Sequence, residues 1–278
     1  MGRRVVSPKK VICAPKTIYF DGCGLLLAYY FGVVRAMEEH GKVDFRRVQL
    51  GGASAGSIVA VMLALGLRYK DIRCIGDQII QWRRSGHGNR YLKSWLDVWL
   101  MFLRQHLGSR DLDAAARGIK NLHIRVTEIV GSVGLRPVIV SRFSCFSDLI
   151  TTVYGSCNIV PFFDGFKCVR DSSGRRLIDG VYVSGSGSVF GEGPGNIMVS
   201  PLRKATIYSV RFSILQVIFQ SSKNTEIIDA GYCDGKKYFQ GERLDVEVGY
   251  VNSFSTWLRQ ILFSFSLWIL SVLFRLRR

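Results

Sequence analysis

The chain has 278 residues, a length that suits one large α/β domain with an appendage. Apolar residues make up 48% of it, enough for a substantial core and too many for a disordered chain. The formal net charge of +17 calls for an anionic partner; with no zinc-finger spacing and no aromatic RNA-binding signature, a membrane surface is expected and nucleic acid is not.

Residues 1–16 are basic and contain no apolar run of signal-peptide length. Gly2 does not mark a myristoylation site, because Val6 stands where that motif needs Ser or Thr. The TIYFD stretch at 17–21 predicts a short buried strand, Gly22-Cys23-Gly24 a tight turn, and 25–40 a helix. Residues 48–50 predict the core of a second strand, 51–56 a sharp turn, and 55–65 a helix apolar nearly all round. This strand–turn–helix order, used twice, predicts a mainly parallel sheet with helices on both faces. Helices are expected at 69–84 and 91–107, strands at 122–130 and 137–141, and a helix at 147–154. Residues 169–178 predict a hairpin turning on Asp171-Ser172-Ser173-Gly174. A Gly/Ser-rich loop at 184–195, a strand at 196–200 and a helix at 225–239 complete the domain. The seven cysteines (Cys13, Cys23, Cys74, Cys145, Cys157, Cys168 and Cys233) are odd in number and form no C-x-x-C pair, which suits reduced thiols in an intracellular protein.

Gly52-Ala53-Ser54-Ala55-Gly56 fits G-x-S-x-G between a strand and a helix. Small residues permit the strained turn, and the helix N-terminus then favours negative charge beside an exposed Ser54 hydroxyl. Gly22-Cys23-Gly24 has two readings. Its glycines let N–H groups approach a developing oxyanion, or it is an ordinary strand–helix turn. A dinucleotide loop is disfavoured, since Leu27 occupies the third glycine position. The four histidines are His40, His87, His106 and His123, and none follows position 123, as a Ser-Asp-His order would need. A Ser-Asp dyad avoids that difficulty. Asp179, followed by Gly180 at a strand end, is the best partner, and its burial beside the serine would raise its proton affinity.

These motifs carry a resemblance. YFDGCGLLLAYYFGVVRAMEEH (19–40), GASAG (52–56), Ser156-Cys157-Asn158-Ile159-Val160-Pro161-Phe162, Asp179-Gly180, Ile197-Met198-Val199-Ser200-Pro201 and Gly231-Tyr232 with Asp234-Gly235 resemble, in order, the patatin-like phospholipase family. The similarity is greatest to its adipose triglyceride lipase and adiponutrin group. Leu27 departs from a glycine of the oxyanion segment, and Val181 from the second glycine after the acid. The resemblance implies a patatin-like three-layer α/β sandwich and hydrolysis of glycerolipid acyl esters without metal or cofactor. Ser54 would be the nucleophile, Asp179 the proton acceptor, and the N–H groups of Gly22, Cys23, Gly24, Leu25 and Ala55 the oxyanion hole. A catalytically weak or inactive lipid-binding relative is the alternative.

Two apolar segments remain. At 91–107, Trp95, Trp99, Phe102 and Leu103 share a helical stripe that suits either core packing or a lid. Residues 261–274 carry no charge and are bracketed by Arg259 and by Arg275, Arg277 and Arg278. The run is short of the roughly 20 residues of a full span, so an interfacial anchor is as acceptable as a spanning tail. The expected organisation is a basic segment (1–16), a catalytic domain (17–250) and a tail (251–278) attaching to the cytoplasmic face of a membrane or to a lipid droplet.

Overall fold

A computed structural model describes residues 14–82, 85, 92–131, 134–160, 167–183, 188–202, 205–208 and 224–242. The tail at 251–278, residues 1–13 of the basic segment, Pro161 and Phe162, His87, and residues 184–187 of the Gly/Ser-rich loop lie outside them.

The first strand, β1 (Thr17–Phe20), stops one residue short of the expected Asp21, and a 3-10 turn (Gly24–Leu26) leads into helix α1 (Leu27–Glu39). Strand β2 (Gln49–Ala53) runs on through two glycines expected to turn. They stay extended because both pair with β1 and β3, and close packing there admits no side chain: a Cβ on Gly51 would lie 2.9 Å from Tyr19 Cδ2, and one on Gly52 2.5 Å from Gly56 O. Helices α2 (Ala55–Ala64), α3 (Tyr69–Trp82) and α4 (Leu92–Leu107) follow as predicted. Helix α5 (Leu112–Gly118) was not predicted; the Asp111 side chain caps it by accepting the Ala114 N–H at 2.9 Å. Strands β3 (Leu122–Val130) and β4 (Gly134–Val140) follow, and then α6 (Phe146–Ser156). Strands β5 (Val169–Arg170) and β6 (Arg176–Ile178) form the expected hairpin, where Asp171 Oδ1 accepts the N–H groups of Ser173 and Arg175. Strand β7 (Asn196–Ser200), an unpredicted two-residue β8 (Ile207–Tyr208) and helix α7 (Asn224–Phe239) complete the described chain.

Among the described residues the strands form one mixed sheet of eight, mostly parallel, with helices packed around it. β1 lies between β2 and β7, and β2, β1, β7 and β8 run parallel to their neighbours, as does β3 to β2. β4 and β6 pair with β3 antiparallel. Ile124 and Arg125 pair with β2 and β4 at once, while Thr127 to Ile129 pair with β4 and β6 at once. A strand has only two edges, so β2 and β6 must share one edge of β3. They run head to head along it, and their C-terminal ends meet near Arg125 to Thr127. One sheet face sends Ile18, Phe20, Leu50, Ile124 and Val126 into the main core with α1 and α2.

Helices α1 and α7 touch backbone to backbone. A Cβ on Gly32 would lie 1.9 Å from Ile228 O, and one on Gly231 2.0 Å from Tyr29 O. The Tyr29 hydroxyl donates to buried Asp234 Oδ2 at 3.1 Å. The Gly231 and Asp234-Gly235 positions are therefore a packing surface. Gly32→Ala should separate the helices and lower stability by about 2 kcal/mol or more, read as a loss in denaturant midpoint. An unchanged midpoint would show that the helices part without cost.

Candidate active site

Ser54 sits between β2 and α2 with φ 51° and ψ −132°, a backbone region that residues with a side chain avoid. Such strain costs on the order of 1–3 kcal/mol and persists only where the surroundings over-determine it. Here they do. Gly52 packs on Gly56, and a Cβ on Gly56 would lie 2.1 Å from Phe20 O. The Ser57 N–H and hydroxyl both donate to Ser54 O, at 2.9 and 2.7 Å. The Ser54 N–H donates to Ser156 Oγ at 2.9 Å, and that hydroxyl donates on to Arg125 O at 2.7 Å.

Asp179 follows β6 and is fully buried. Its N–H donates to Asn158 O at 3.0 Å, and its Oδ1 accepts the Val181 N–H at 2.9 Å. The Gly180 N–H donates to Ser156 O at 3.2 Å, so one residue, Ser156, ties both chain ends together. Only glycine fits at 180, because a Cβ would lie 2.2 Å from Arg125 O. Burial pushes the Asp179 carboxyl up to about 7; the nearby Ser54 hydroxyl and the Val181 N–H hold it down, and Asp21 adds to the rise. No fully formed hydrogen bond joins Ser54 to Asp179, and Asp179 Oδ2 is buried without a partner among the described residues.

The expected oxyanion segment lies beside the serine: a Cβ on Gly22 would lie 3.3 Å from Ser54 Cβ. Among the described residues, no acceptor takes the N–H of Gly22 or Cys23. Ala55 is the first residue of α2, so its N–H has no acceptor within the helix. The Cys23 thiol is buried, and burial pushes its ionisation far above the usual thiol range, so it presents its backbone rather than a nucleophile. Gly24 and Leu25 border the pocket described next. Of the two departures, Leu27 opens α1 and lines that pocket, while the half-exposed Val181 lies against Gly22.

An apolar cavity of about 140 Å³ opens at Ser54. Its walls come from α1, α2, α3 and α4, and include Ile58, Ile79, Trp95 and Trp99. In the α4 stripe the core expectation holds for Trp99 and Leu103, while Trp95 and Trp99 line the cavity. The three described histidines are engaged elsewhere. His40 pairs with Tyr232 at 3.0 Å, His106 with Asp71 at 3.3 Å, and His123 with Gln49 at 3.0 Å.

The sequence pattern of the patatin-like phospholipase family matches residues 18–187, more than half of the chain. The chain belongs to the patatin-like phospholipase family. That match contains both Ser54 and Asp179. Among curated protein sequences none matches this family member. Solved structures similar to it include VipD from Legionella pneumophila, at 12% identity and a TM-score of 0.48, covering 90% of this chain and 75% of that one. ExoU in its heterodimeric complex with SpcU, from the type III secretion system of Pseudomonas aeruginosa, is similar at 14% identity and a TM-score of 0.45, covering 82% of this chain. The patatin-like chain spans 51% of that ExoU chain, about half its length.

Sequence reasoning singled out Ser54, Asp179 and the Gly22 to Leu25 segment, and the fold brings them together. It missed the part played by Ser156, which lies in a stretch noted only for its resemblance. The folded Asp179 holds its proton more tightly than the unfolded chain, where the ordinary value is 3.8. Its burial therefore costs nothing below about pH 4, and the cost grows with pH until it is complete above about 7. Asp179→Asn should be more stable than the parent by a few kcal/mol near pH 8, with the difference shrinking toward pH 4. Equal stability of the two proteins across that range in denaturant titrations would show that the carboxylate is not desolvated.

Proposed function

We propose that this patatin-like chain is a serine acyl-ester hydrolase acting on glycerolipids, with Ser54 as nucleophile and Asp179 as its proton acceptor. The observation that carries the reading is a strained serine at the mouth of an apolar cavity, beside a buried carboxyl whose proton affinity lies near neutrality. Asp179 takes the Ser54 proton as the hydroxyl oxygen attacks the ester carbonyl. N–H groups of Gly22, Cys23 and Ala55 receive the oxyanion, with Gly24 and Leu25 beside them. The alcohol leaves with the proton held by Asp179, and an acyl-enzyme remains on Ser54. Water then attacks that ester as Asp179 accepts its proton; the intermediate collapses, Asp179 returns the proton to the Ser54 oxygen, and the fatty acid departs. The similarity of residues 19–40 to the adipose triglyceride lipase and adiponutrin group supports acylglycerols or phospholipids as substrates. Lipid binding without turnover is the second reading, favoured by Leu27 and Val181.

Ser54→Ala should lose essentially all ester hydrolysis and all labelling by a fluorophosphonate probe, while the parent shows both. The parent's kcat/KM should rise with pH through about 7, because protonated Asp179 cannot accept the serine proton. Labelling or hydrolysis that survives in Ser54→Ala sinks the nucleophile assignment. Labelling with no turnover of any ester favours the lipid-binding reading.

We further propose that the tail at 251–278 attaches the chain to the cytoplasmic face of a membrane or to a lipid droplet. Burying some dozen apolar side chains, each worth roughly 1.5 kcal/mol or more, outweighs placing the flanking arginines at the interface. Full-length protein should pellet with membranes or float with droplets, and a chain ending at Val251 should not. A full-length protein found entirely in the soluble fraction would make the tail a packed helix instead.

A further inference from the structure

An oxyanion hole made of backbone N–H groups works only if its peptide planes are held still. A peptide is planar and trans, so the Asp21 carbonyl and the Gly22 N–H point to opposite sides of one rigid plate. Whatever grips that carbonyl therefore sets the direction of the N–H. Asp21 directly follows β1 and its last ladder pairs. Its N–H donates to Val199 O at 3.0 Å, and its Oδ2 accepts the Ser200 hydroxyl at 3.3 Å, which ties it to the end of β7. Its carbonyl accepts the Tyr30 hydroxyl at 2.5 Å, the short end of the O–H···O range. The Cys23 thiol lies beside the same hydroxyl. One oxygen thus touches both residues that flank Gly22, and Gly22 itself lies against Ser54.

The hydroxyl is itself held in place. Tyr30 is fully buried on α1, and its ring meets Phe20 of β1 edge-on, with centroids 5.3 Å apart. The first turn of α2 closes on the same carbonyl: a Cβ on Gly56 would lie 2.6 Å from Asp21 O. The preceding residue, Tyr29, is equally buried but turned about 100° around the helix. Its hydroxyl goes to Asp234 of α7 instead. Of two adjacent tyrosines, one docks α1 on α7 and the other reaches back to the segment beside the serine.

We propose that Tyr30 is a positioning residue for the oxyanion segment: its hydroxyl, by holding the Asp21 carbonyl and the Cys23 thiol, keeps the N–H groups of Gly22 and Cys23 aimed at the oxygen of an ester bound at Ser54. The inference rests on the hydrolase reading and adds to it a residue that touches no substrate. Loss of the hydroxyl leaves every oxyanion donor present but frees the peptide that carries the first of them to turn. The consequence falls on the transition state, where the oxyanion forms, and not on ground-state binding in the apolar cavity.

The experiment compares Tyr30→Phe with Tyr29→Phe and the parent. Each variant loses one buried hydroxyl on α1, and denaturant midpoints record what that costs the fold. The first readout is labelling by a fluorophosphonate probe. In that reaction the Ser54 oxygen displaces fluoride from phosphorus, Asp179 takes the serine proton, and the phosphoryl oxygen must enter the place of the oxyanion. Tyr30→Phe should label to the parent's full stoichiometry but roughly tenfold to a hundredfold more slowly, short of the loss of a whole donor. Tyr29→Phe should label at the parent's rate. Partial unfolding has the opposite signature, a lower stoichiometry with the folded fraction reacting at the usual rate. The second readout is hydrolysis of p-nitrophenyl butyrate, in which kcat should fall by the same factor as labelling while KM stays within about twofold. Cys23→Ala keeps the backbone N–H and loses the thiol; it should slow labelling by about twofold to tenfold, and it decides the question if Tyr30→Phe does not fold. An unchanged labelling rate in Tyr30→Phe, or in Cys23→Ala standing in for it, overturns the positioning role and leaves the hydrolase reading intact. So does equal slowing in Tyr29→Phe. A parent that neither labels nor turns over any ester overturns both.

Discussion

The candidate site depends on one edge of one strand. β3 carries β4 along its far side, so β2 and β6 must arrive on the near side from opposite directions. Ser54 leaves the end of β2 and Asp179 the end of β6, and the two meet where the strands run out. No local signal brings residues this far apart in the chain together. Backbone hydrogen bonding does it, because every peptide group along β3 must find a partner. Ser156 completes the junction, accepting the Ser54 N–H with its side chain and the Gly180 N–H with its carbonyl. Its hydroxyl proton goes to Arg125 O, so the junction is anchored to β3 itself.

Close approach requires small residues, and the chain supplies them where backbones meet. Gly52 and Gly56 bring β2 and α2 together around Ser54, and Gly180 lets the strand after Ile178 turn beneath Arg125 O. The same device recurs away from the serine, where Gly32 and Gly231 hold α1 on α7. That contact bears on the site indirectly. It stiffens the helix from which Leu27, Ala28 and Phe31 face the cavity. Packing at the back of the molecule and the shape of the pocket at the front are thus one constraint.

Stability and chemistry pull against each other at Asp179. Burying a carboxyl with one oxygen unpartnered disfavours its charge and costs the fold stability at neutral pH. The same burial moves its proton affinity toward neutrality, as the proposed proton transfer from Ser54 requires. Ser54 shows a similar conflict, since its positive φ stores strain that the surrounding hydrogen bonds must hold.

The sequence by itself determined a good deal. The G-x-S-x-G turn, the Asp-Gly after a strand and the Asp171 to Gly174 hairpin are local, and the fold places each at the strand end or turn where the sequence expected it. The absence of a late histidine argued against a histidine-based triad before any coordinates. Helix α5 was missed although its Asp111 cap was in plain view, and β8 is too short for any periodicity to register. Only the tertiary structure decided the rest. Gly231 and Asp234-Gly235 proved to be helix packing, Leu27 a pocket wall, and Ser156 the pin between Ser54 and Asp179. Each of these depends on which distant backbone lies within a few ångströms, and pairing between distant strands and helices is set by burial and hydrogen bonding summed over the whole sheet, not by any short run of residues.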